Sequence, residues 1–182
     1  MEFINRGIAK IQILCANKDK YIEILRNKGV VIGDKCEIYK TASFGSEPYL
    51  ISIGNHVRIN AGVQFVTHDG GLWVLRDSNA GYGDEFKDAD KFGKIIIHDN
   101  VHIGTNSIIM PGVEIGENVI VGCGSVVTKS IPPNEIWGGI PARKIEGLDE
   151  YVEKVRKKYV NTKQFGADEK KEWLLNYFLN NN

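Results

Sequence analysis

Four histidines are the side chains of this 182-residue sequence best suited to proton transfer near neutral pH, because only imidazole titrates in that range without help from its surroundings. His68 differs from the other three by its position in the stretch QFVTHDGG, residues 64–71. It follows a threonine, and a regular six-residue pattern stops there. A neutral imidazole can accept a proton from a hydroxyl group, which is the chemistry of a general base.

The six-residue pattern is what must position that imidazole. From Ile97 the chain reads IHDNVH, IGTNSI, IMPGVE, IGENVI, VGCGSV and VTKSIP. The first place is always Ile or Val, and the fifth is small or β-branched. The same phase runs earlier through IGDKCE and IYKTAS from Ile32, and through IGNHVR, INAGVQ and FVTHDG from Ile53.

A period of six residues fits neither an amphipathic helix nor an alternating strand over this length. It predicts a chain that turns a corner at every unit, so that short strands stack and the first and fifth places line one narrow interior. Glycine-rich loops between ordinary strands are the alternative, and six consecutive units in phase argue against them. His56 and His98 lie inside units, at places expected to face solvent, and we interpret both as surface side chains.

Residues 70–94 interrupt the pattern with a polar, glycine-rich segment that has no repeat phase. A loop of this length in a compact domain is usually functional or disordered. A stack of coils accepts an insertion only at a corner. We therefore expect the loop to leave the body directly after His68.

Helical patterns precede the repeats. Residues 18–28 predict a helix with Asp19 as its N-cap and Gly29 as its stop. This helix is expected to cover the open end of the stack and to hide its first strands from edge pairing. Residues 4–14 predict another short helix.

Helical patterns also follow the repeats, where apolar residues recur at helical spacing from Leu148 and again over residues 168–180. We interpret these apolar faces as packing and oligomer contacts. The expected division is a helical cap over residues 1–29, a repeat body over 30–146, and C-terminal helices over 147–182.

Composition excludes several classes of protein. Lys plus Arg equals Asp plus Glu, 23 each, which argues against a nucleic-acid-binding protein. No apolar run reaches the roughly 18 residues of a membrane helix, and the N-terminus has no signal-peptide pattern, so we expect a cytoplasmic protein. Cys15, Cys36 and Cys123 are odd in number and form no CxxC pair, which predicts free thiols and no metal site.

The repeat units resemble the hexapeptide repeats of left-handed parallel β-helix acyltransferases. The segment GCGSVVTKSIPPNEIWGGIPARKI resembles the closing segment of the maltose, galactoside and capsular-sugar O-acetyltransferase branch. The segment FVTHDGGLWVLRD is most similar to the subgroup associated with surface polysaccharides. The resemblance implies an all-β fold, a left-handed parallel β-helix with helical ends, assembled as a homotrimer. Each site would lie between two subunits, with the loop reaching over the neighbour.

The resemblance also implies a chemistry. The acyl donor would be acetyl-CoA, the acceptor a sugar hydroxyl of a surface polysaccharide or its precursor, and no metal would be required. His68 would deprotonate the hydroxyl, which attacks the thioester while a backbone N–H holds the oxyanion. Positions that match the family's cofactor contacts are Thr105 and Cys123 for the pantetheine arm, Thr128 and Lys129 for the nucleotide end, and Arg143 for the phosphates.

Candidate acceptor contacts lie around the break in the pattern. The turn FGSEPY offers Ser46 and Glu47, although a corner turn set by Pro48 explains this segment equally well. Asp69 either binds the acceptor or tethers the loop.

The loop and the following repeat offer three more candidates. Trp73 could form a platform for a sugar ring, and Arg76 could bind a phosphate or carboxylate, but both are also explained as loop anchors. His102 stands where relatives often carry a tryptophan, so it could line a more polar acceptor pocket or add a second imidazole.

Three other functions stay open at this stage. An N-acetyltransferase acting on an amino sugar or a xenobiotic could use the same base. A zinc hydratase on the same fold would need three convergent imidazoles, and His98 and His102 are four residues apart rather than the five of that family. A binding module with a dead site is the third.

Overall fold

The structure is a computed structural model that describes residues 15–180. The predicted helix over residues 4–14 lies outside this range. The strands within it are β1 (Val31–Ile32), β2 (Glu37–Ile38), β3 (Ile51–Ile53), β4 (Arg58–Ile59), β5 (Gln64–Phe65), β6 (Ile95–Ile97), β7 (His102–Ile103), β8 (Ile108–Ile109), β9 (Glu114–Ile115), β10 (Ile120–Val121), β11 (Val126–Val127), β12 (Glu135–Gly139) and β13 (Ala142–Gly147).

The α-helices of the described residues are α1 (Lys18–Asn27), α2 (Leu72–Leu75), α3 (Gly83–Phe86), α4 (Leu148–Arg156) and α5 (Ala167–Asn180). Two 3₁₀ turns, Pro48–Leu50 and Ser78–Ala80, complete the regular structure.

The strands form three sheets that the chain visits in turn, one six-residue unit to each sheet. The first sheet has the order β1-β3-β6-β9, the second β13-β12-β10-β7-β4-β2 and the third β11-β8-β5. Between β6 and β11, where no loop interrupts the repeats, parallel pairs join residues eighteen positions apart, such as Ile103 with Val121 and Ile109 with Val127. Three units therefore complete one turn of the coil, and the predicted stacking of six-residue units is confirmed.

The interior of the coil is the column of aliphatic side chains that the pattern predicts. First-place residues from Ile53 to Val127 are all buried, and so are the fifth-place residues from Val57 to Ile131 except Asp69, which lies where the chain leaves the stack. Ser107 and Ser125 occupy two fifth places, and both hydroxyls donate to the carbonyl oxygen of Gly122, at 3.1 and 2.6 Å. Hydrogen bonding thus satisfies the polar groups inside a narrow apolar core.

The corner between the first and second sheets carries a ladder of polar side chains. His56, Asn100, Asn118 and Asn134 stack on successive turns, each with a positive φ between 53° and 62°. Their side chains are joined at 2.8, 2.7 and 3.0 Å. Asparagine tolerates the left-handed region, which explains its recurrence at this corner. His56 is exposed there, as predicted.

Helix α1 packs on β1 and β2 through Tyr21 and Leu25, which are both buried. The predicted cap was wrong, since Asn17 and not Asp19 is the N-cap. The Asn17 side chain accepts a hydrogen bond from the Lys20 N–H at 2.9 Å, while Asp19 lies in the first turn. Gly29 follows the helix with φ +95°, as predicted for its stop.

The described chain divides into two compact units between Asp149 and Glu150. In the first unit, β12 continues the second sheet in parallel, and β13 closes it as an antiparallel edge strand. In the second, Trp173 stacks on Tyr177 with ring centroids 5.0 Å apart. Helices are found where the patterns after the repeats predict them, while the predicted domain boundaries stay predictions. Among residues 15–180, no helix is long and apolar enough to span a membrane.

Candidate active site

The chain leaves the stack directly after His68 and rejoins it at β6, as the broken pattern predicts. Residues 67–69 and 91–93, here called the neck, pair as a short antiparallel ribbon. The N–H of Asp69 donates to Lys91 O at 2.8 Å, and the N–H of Gly93 donates to Thr67 O at 2.9 Å. These bonds fix the backbone of His68 between the end of the stack and the returning end of the loop.

The His68 side chain is paired with a carboxylate. Nδ1 of His68 lies 3.1 Å from Oε2 of Glu47, and the Thr67 hydroxyl donates to the same oxygen at 2.6 Å. An ionised carboxylate can only accept hydrogen bonds, so Nδ1 must carry the proton. That tautomer leaves the lone pair of Nε2 free to act as a base. The imidazole is 46% exposed, whereas the Glu47 side chain is 15% exposed.

The carboxylate stays charged at neutral pH. The hydroxyl of Thr67, and after it the imidazole of His68, lowers the pKa of Glu47 below its ordinary value. The local fold explains how Glu47 arrives there. Gly45 has φ +65°, and a Cβ on it would lie 3.1 Å from the carbonyl oxygen of Phe65, so the turn passes close above β5. Pro48 then starts the 3₁₀ turn that leads into β3.

The structure places Glu47 against His68, a contact that the sequence analysis did not predict, while its role as an acceptor contact stays a prediction. Ser46 beside it is exposed. Asp69 has the contacts of a loop tether: its side chain accepts from the Gly71 N–H at 3.0 Å and from Lys91 Nζ at 3.2 Å. These two donors lower the pKa of Asp69, with the Gly71 N–H the larger cause.

Arg76 also makes the contacts of a loop anchor. Its Nη2 donates to the carbonyl oxygen of Ala89 at 2.6 Å and to Oδ1 of Asp90 at 2.5 Å. Trp73 lies on α2 with 78% of its surface exposed. Arg76 therefore holds the loop together, whereas the side chain of Trp73 lies in solvent.

Two predicted cofactor residues share a corner with His68. In the third sheet Phe65 pairs with Ile109, and Ile109 with Val127, so Thr128 and Lys129 follow β11 as His68 follows β5. Adjacent strands lie about 4.8 Å apart, which puts this pair roughly 10 Å along the corner from His68. Both side chains are exposed.

Thr105 and Cys123 lie on a different corner, between the second and third sheets. They belong to successive turns, and the N–H of Gly124 donates to Thr105 O at 2.8 Å. A Cβ on Gly104 would approach the Cys123 nitrogen to 2.5 Å, so only glycine fits between these turns. The two turns therefore lie in close contact at this corner, and the assignment of Thr105 and Cys123 to the pantetheine arm stays a prediction.

Arg143 lies on β13 at the end of the stack and is exposed, with Nη1 donating to Ala142 O at 2.8 Å. Its neighbour Lys144 is engaged elsewhere, at 2.7 Å from Oε1 of Glu135. Lys144, and after it the Trp137 N–H, lowers the pKa of Glu135. Lys129 and Arg143 are both exposed, and their assignment to the nucleotide end and to the phosphates of the donor, respectively, stays a prediction.

His102 lies half-buried on β7, between Arg58 of β4 and Ile120 of β10. It faces outward from the second sheet, so one protomer does not bring it to the corner of His68. Burial, and after it the Arg58 guanidinium, lowers the pKa of His102 below its ordinary value of 6.5.

This shift predicts a pH dependence of stability. A histidine with a depressed pKa binds more protons in the unfolded state than in the folded state. The contribution of His102 to the free energy of unfolding is therefore complete above pH 6.5 and is lost as the pH falls toward the lower pKa of the folded state. We expect His102→Gln to reduce the loss of unfolding free energy between about pH 7 and 5 in urea titrations. Arg58→Gln removes only the second cause and should reduce the loss less. An unchanged pH dependence in His102→Gln would contradict this assignment.

A second histidine–carboxylate pair lies away from the neck, where Nε2 of His98 is 2.6 Å from Oε1 of Glu114. His98 follows the last strand residue of β6 in the first sheet, whereas His102 is in the second sheet. Within residues 15–180, no three His, Cys, Asp or Glu side chains are grouped so that they could hold a metal ion. The two imidazoles that a zinc hydratase would use therefore diverge.

Two residues of the site were missed by sequence reasoning. Thr67 is buried and shares the Glu47 carboxylate with His68, and the threonine before His68 was the available signal. Phe92 lies opposite His68 in the neck, with ring centroids 6.4 Å apart. No sequence pattern marks Phe92, because the pairing of the neck joins residues across the whole loop.

Comparison with known proteins finds relatives with the same repeat. The family described as "Bacterial transferase hexapeptide (six repeats)" matches residues 94–129. "Protein CapG" of Staphylococcus aureus is 48% identical over 159 residues, which cover 86% of this chain and 88% of CapG. "Galactoside O-acetyltransferase" of Lactococcus lactis subsp. lactis (strain IL1403) is 31% identical over 156 residues, which cover 72% of this chain and 70% of that enzyme.

A solved structure is similar in fold. The hexapeptide-repeat containing acetyltransferase VCA0836 from Vibrio cholerae O1 biovar eltor, complexed with acetyl coenzyme A, matches with a TM-score of 0.56 at 27% sequence identity. The match covers 78% of this chain and 84% of that one. The similarity thus extends over most of the chain in both sequence and fold.

Proposed function

Because the chain belongs to the hexapeptide-repeat acetyltransferase family, we propose that it transfers an acetyl group from acetyl-CoA to a sugar hydroxyl, with His68 as general base. The observation that carries this proposal is the contact of Glu47 with Nδ1 of His68, which leaves Nε2 unprotonated beside the neck. The sugar is supported by the Lactococcus lactis relative, whose name specifies galactoside O-acetylation. The segment that resembles the surface-polysaccharide subgroup favours a polysaccharide or its precursor.

In the proposed reaction, Nε2 of His68 takes the proton of the acceptor hydroxyl as that oxygen bonds to the acetyl carbonyl carbon. Acetyl-CoA supplies this carbon as a thioester, and the C–S bond of the thioester then breaks so that coenzyme A departs as the thiol. His68 returns the proton to the departing sulfur, so the imidazole ends the cycle neutral. A backbone N–H stabilises the charge that develops on the carbonyl oxygen. No acyl-enzyme forms.

Glu47 holds and supports the base. Its carboxylate fixes the tautomer of His68 through Nδ1, and its negative charge stabilises the imidazolium that forms when Nε2 takes the proton. Thr67 keeps that carboxylate in place with a 2.6 Å hydrogen bond. The arrangement resembles the pairing of an imidazole with a buried acid in hydrolytic enzymes, without a nucleophilic residue.

We place each site between two subunits of a homotrimer of left-handed parallel β-helices. One protomer presents His68 and Lys129 on one corner, and Thr105 and Cys123 on another. A neighbouring subunit can bring its own second corner against the first and so complete a groove. Ser46 and Trp73, both exposed near the neck, remain candidates for the acceptor, while Asp69 and Arg76 are assigned to the loop.

Replacement of Arg143 by Ala should raise the KM for acetyl-CoA about tenfold, the scale of one hydrogen bond to a charged group. The KM for the acceptor should stay unchanged, because Arg143 is assigned to the phosphates of the donor. Lys144→Ala is the matched control, since the Lys144 ammonium is paired with Glu135. Steady-state kinetics with each substrate varied in turn measure both constants. A change in the acceptor KM instead would contradict the placement of the donor.

The proposed function is tested by thiol release from acetyl-CoA in the presence of a panel of sugars and amino sugars. We expect release that depends on a sugar, with the acetyl group in an ester that alkaline hydroxylamine cleaves. An amide product, which hydroxylamine leaves intact, would instead establish N-acetylation. Absence of release with every acceptor, together with bound zinc in the purified protein, would favour the hydratase.

A further inference from the structure

Phe92 is the side chain that faces His68 across the neck. The two residues form an antiparallel bridge, and the hydrogen bonds on either side of it come from Asp69 and Gly93. This pattern makes His68 and Phe92 a non-hydrogen-bonded pair, the kind in which opposite side chains approach most closely and project from the same face. The phenyl ring meets the imidazole edge-on, at 6.4 Å between centroids and 71° between planes.

The ring of Phe92 is fixed but largely uncovered. Its backbone is held between the Asp69–Lys91 and Gly93–Thr67 hydrogen bonds, and Lys91 also pairs with Asp69 at 3.2 Å. Even so, 51% of Phe92 is exposed to solvent. Single exposed apolar residues are common on protein surfaces, so exposure alone carries no meaning. A phenylalanine held rigidly beside the candidate base is different, because a substrate of that base must come close to it.

Geometry limits where the acceptor can lie. A hydroxyl that gives its proton to Nε2 must approach it to about 2.6–3.2 Å. A six-membered sugar ring carrying that hydroxyl is then within van der Waals reach of a phenyl group centred 6.4 Å from the imidazole. Sugar rings present C–H groups on their faces and hydroxyls around their edges. An aromatic face, which carries partial negative charge, is complementary to such C–H groups.

We propose that Phe92 is the platform on which the acceptor's sugar ring lies while one of its hydroxyls reaches Nε2 of His68. This inference rests on the proposed function and deepens it, since it names the residue that selects a ring-shaped acceptor. It also moves the aromatic contact from Trp73, on α2 within the loop, to the neck itself. Because the neck is tied to the stack, the platform is ordered before the acceptor binds and little conformational entropy is lost on binding.

Three variants of Phe92 test the proposal with any sugar that the wild-type enzyme acetylates. Phe92→Ala should raise the acceptor KM about tenfold, the scale of a lost aromatic contact, and should leave the acetyl-CoA KM within about twofold. Phe92→Trp retains an aromatic face and should keep the acceptor KM near the wild-type value. Phe92→Leu retains only apolar bulk and should lie between them. Tyr82→Ala, which removes another exposed aromatic side chain of the same loop, is the matched control.

The choice of acceptor separates a platform from a purely structural role. A small acyclic polyol has no ring face, so its KM should be the same in wild type and Phe92→Ala. If Phe92→Ala leaves the KM for the ring-shaped sugar unchanged, or raises both acceptor constants equally, the assignment of Phe92 is overturned while the proposed function stands. If the wild-type protein acetylates no sugar at all, the proposed function and this inference fail together.

Discussion

We expect replacement of His68 by Ala to lower kcat for the proposed sugar acetylation by at least about 10²-fold, the usual scale for the loss of a general base. In the proposed reaction the Nε2 lone pair of His68 takes the acceptor's proton, whereas Glu47 contacts Nδ1, on the side of the ring away from the acceptor. The effect should fall on kcat more than on the acetyl-CoA KM. Thiol release with saturating substrates measures it.

His98→Ala is the matched control for this experiment. Within residues 15–180, two exposed histidines are paired with a glutamate, His68 with Glu47 at 3.1 Å and His98 with Glu114 at 2.6 Å. Only the first lies at the neck, so His98→Ala should retain activity while it removes an equal amount of side chain. Circular dichroism should show that both variants are folded. Comparable kcat values for His68→Ala and the wild type would mean that another group is the base.

Truncation of Ile97 to Ala should lower the free energy of unfolding by about 2–5 kcal/mol. Ile97 occupies a first place of the repeat and is 1% exposed, and its Cβ substituents fill the narrow interior between the three sheets. The cavity left by the substitution cannot collapse readily, because the strands above and below are held by parallel pairing with Ile53 and Ile115. Urea unfolding at a fixed protein concentration measures the loss.

The neighbouring residue provides the control on the same strand. Strand β6 consists of three isoleucines, of which Ile95 and Ile97 are buried and Ile96 is 36% exposed. Ile96→Ala removes the same atoms from the outer face and should cost clearly less than Ile97→Ala. Equal losses for the two substitutions would contradict the inward assignment of the first place in each unit.

The fold was predictable because its period is a burial pattern. Every first place from Ile53 to Val127 must enter a narrow space that holds one apolar side chain, so only Ile, Val and, at residue 65, Phe occur there and the pattern is visible in the sequence. The loop was predictable for the same reason, because the requirement for an apolar residue at every sixth position ends where the loop begins. The handedness of the coil leaves no such pattern in the sequence, because left-handed and right-handed coils would bury the same residues.

The partners of the candidate base were less predictable. Glu47 reaches His68 across 21 residues, and this contact depends on the positive φ of Gly45 and on the path of one turn. A reading of the sequence can note a polar residue in that turn but not its direction. Phe92 is still further from His68 along the sequence, and only the antiparallel pairing of the neck brings the two residues together. The N-cap was misassigned because Asn17 and Asp19 are both good capping residues.

The most direct test of a poised base is the tautomer of the His68 ring, read by ¹⁵N NMR on protein labelled at histidine and assigned with the His68→Ala variant. Above neutral pH the wild type should carry its proton on Nδ1 and leave Nε2 bare, and Glu47→Gln should weaken that preference. A neutral His68 protonated at Nε2 in the wild type would contradict the proposed chemistry, because the nitrogen meant to accept the proton would already hold one.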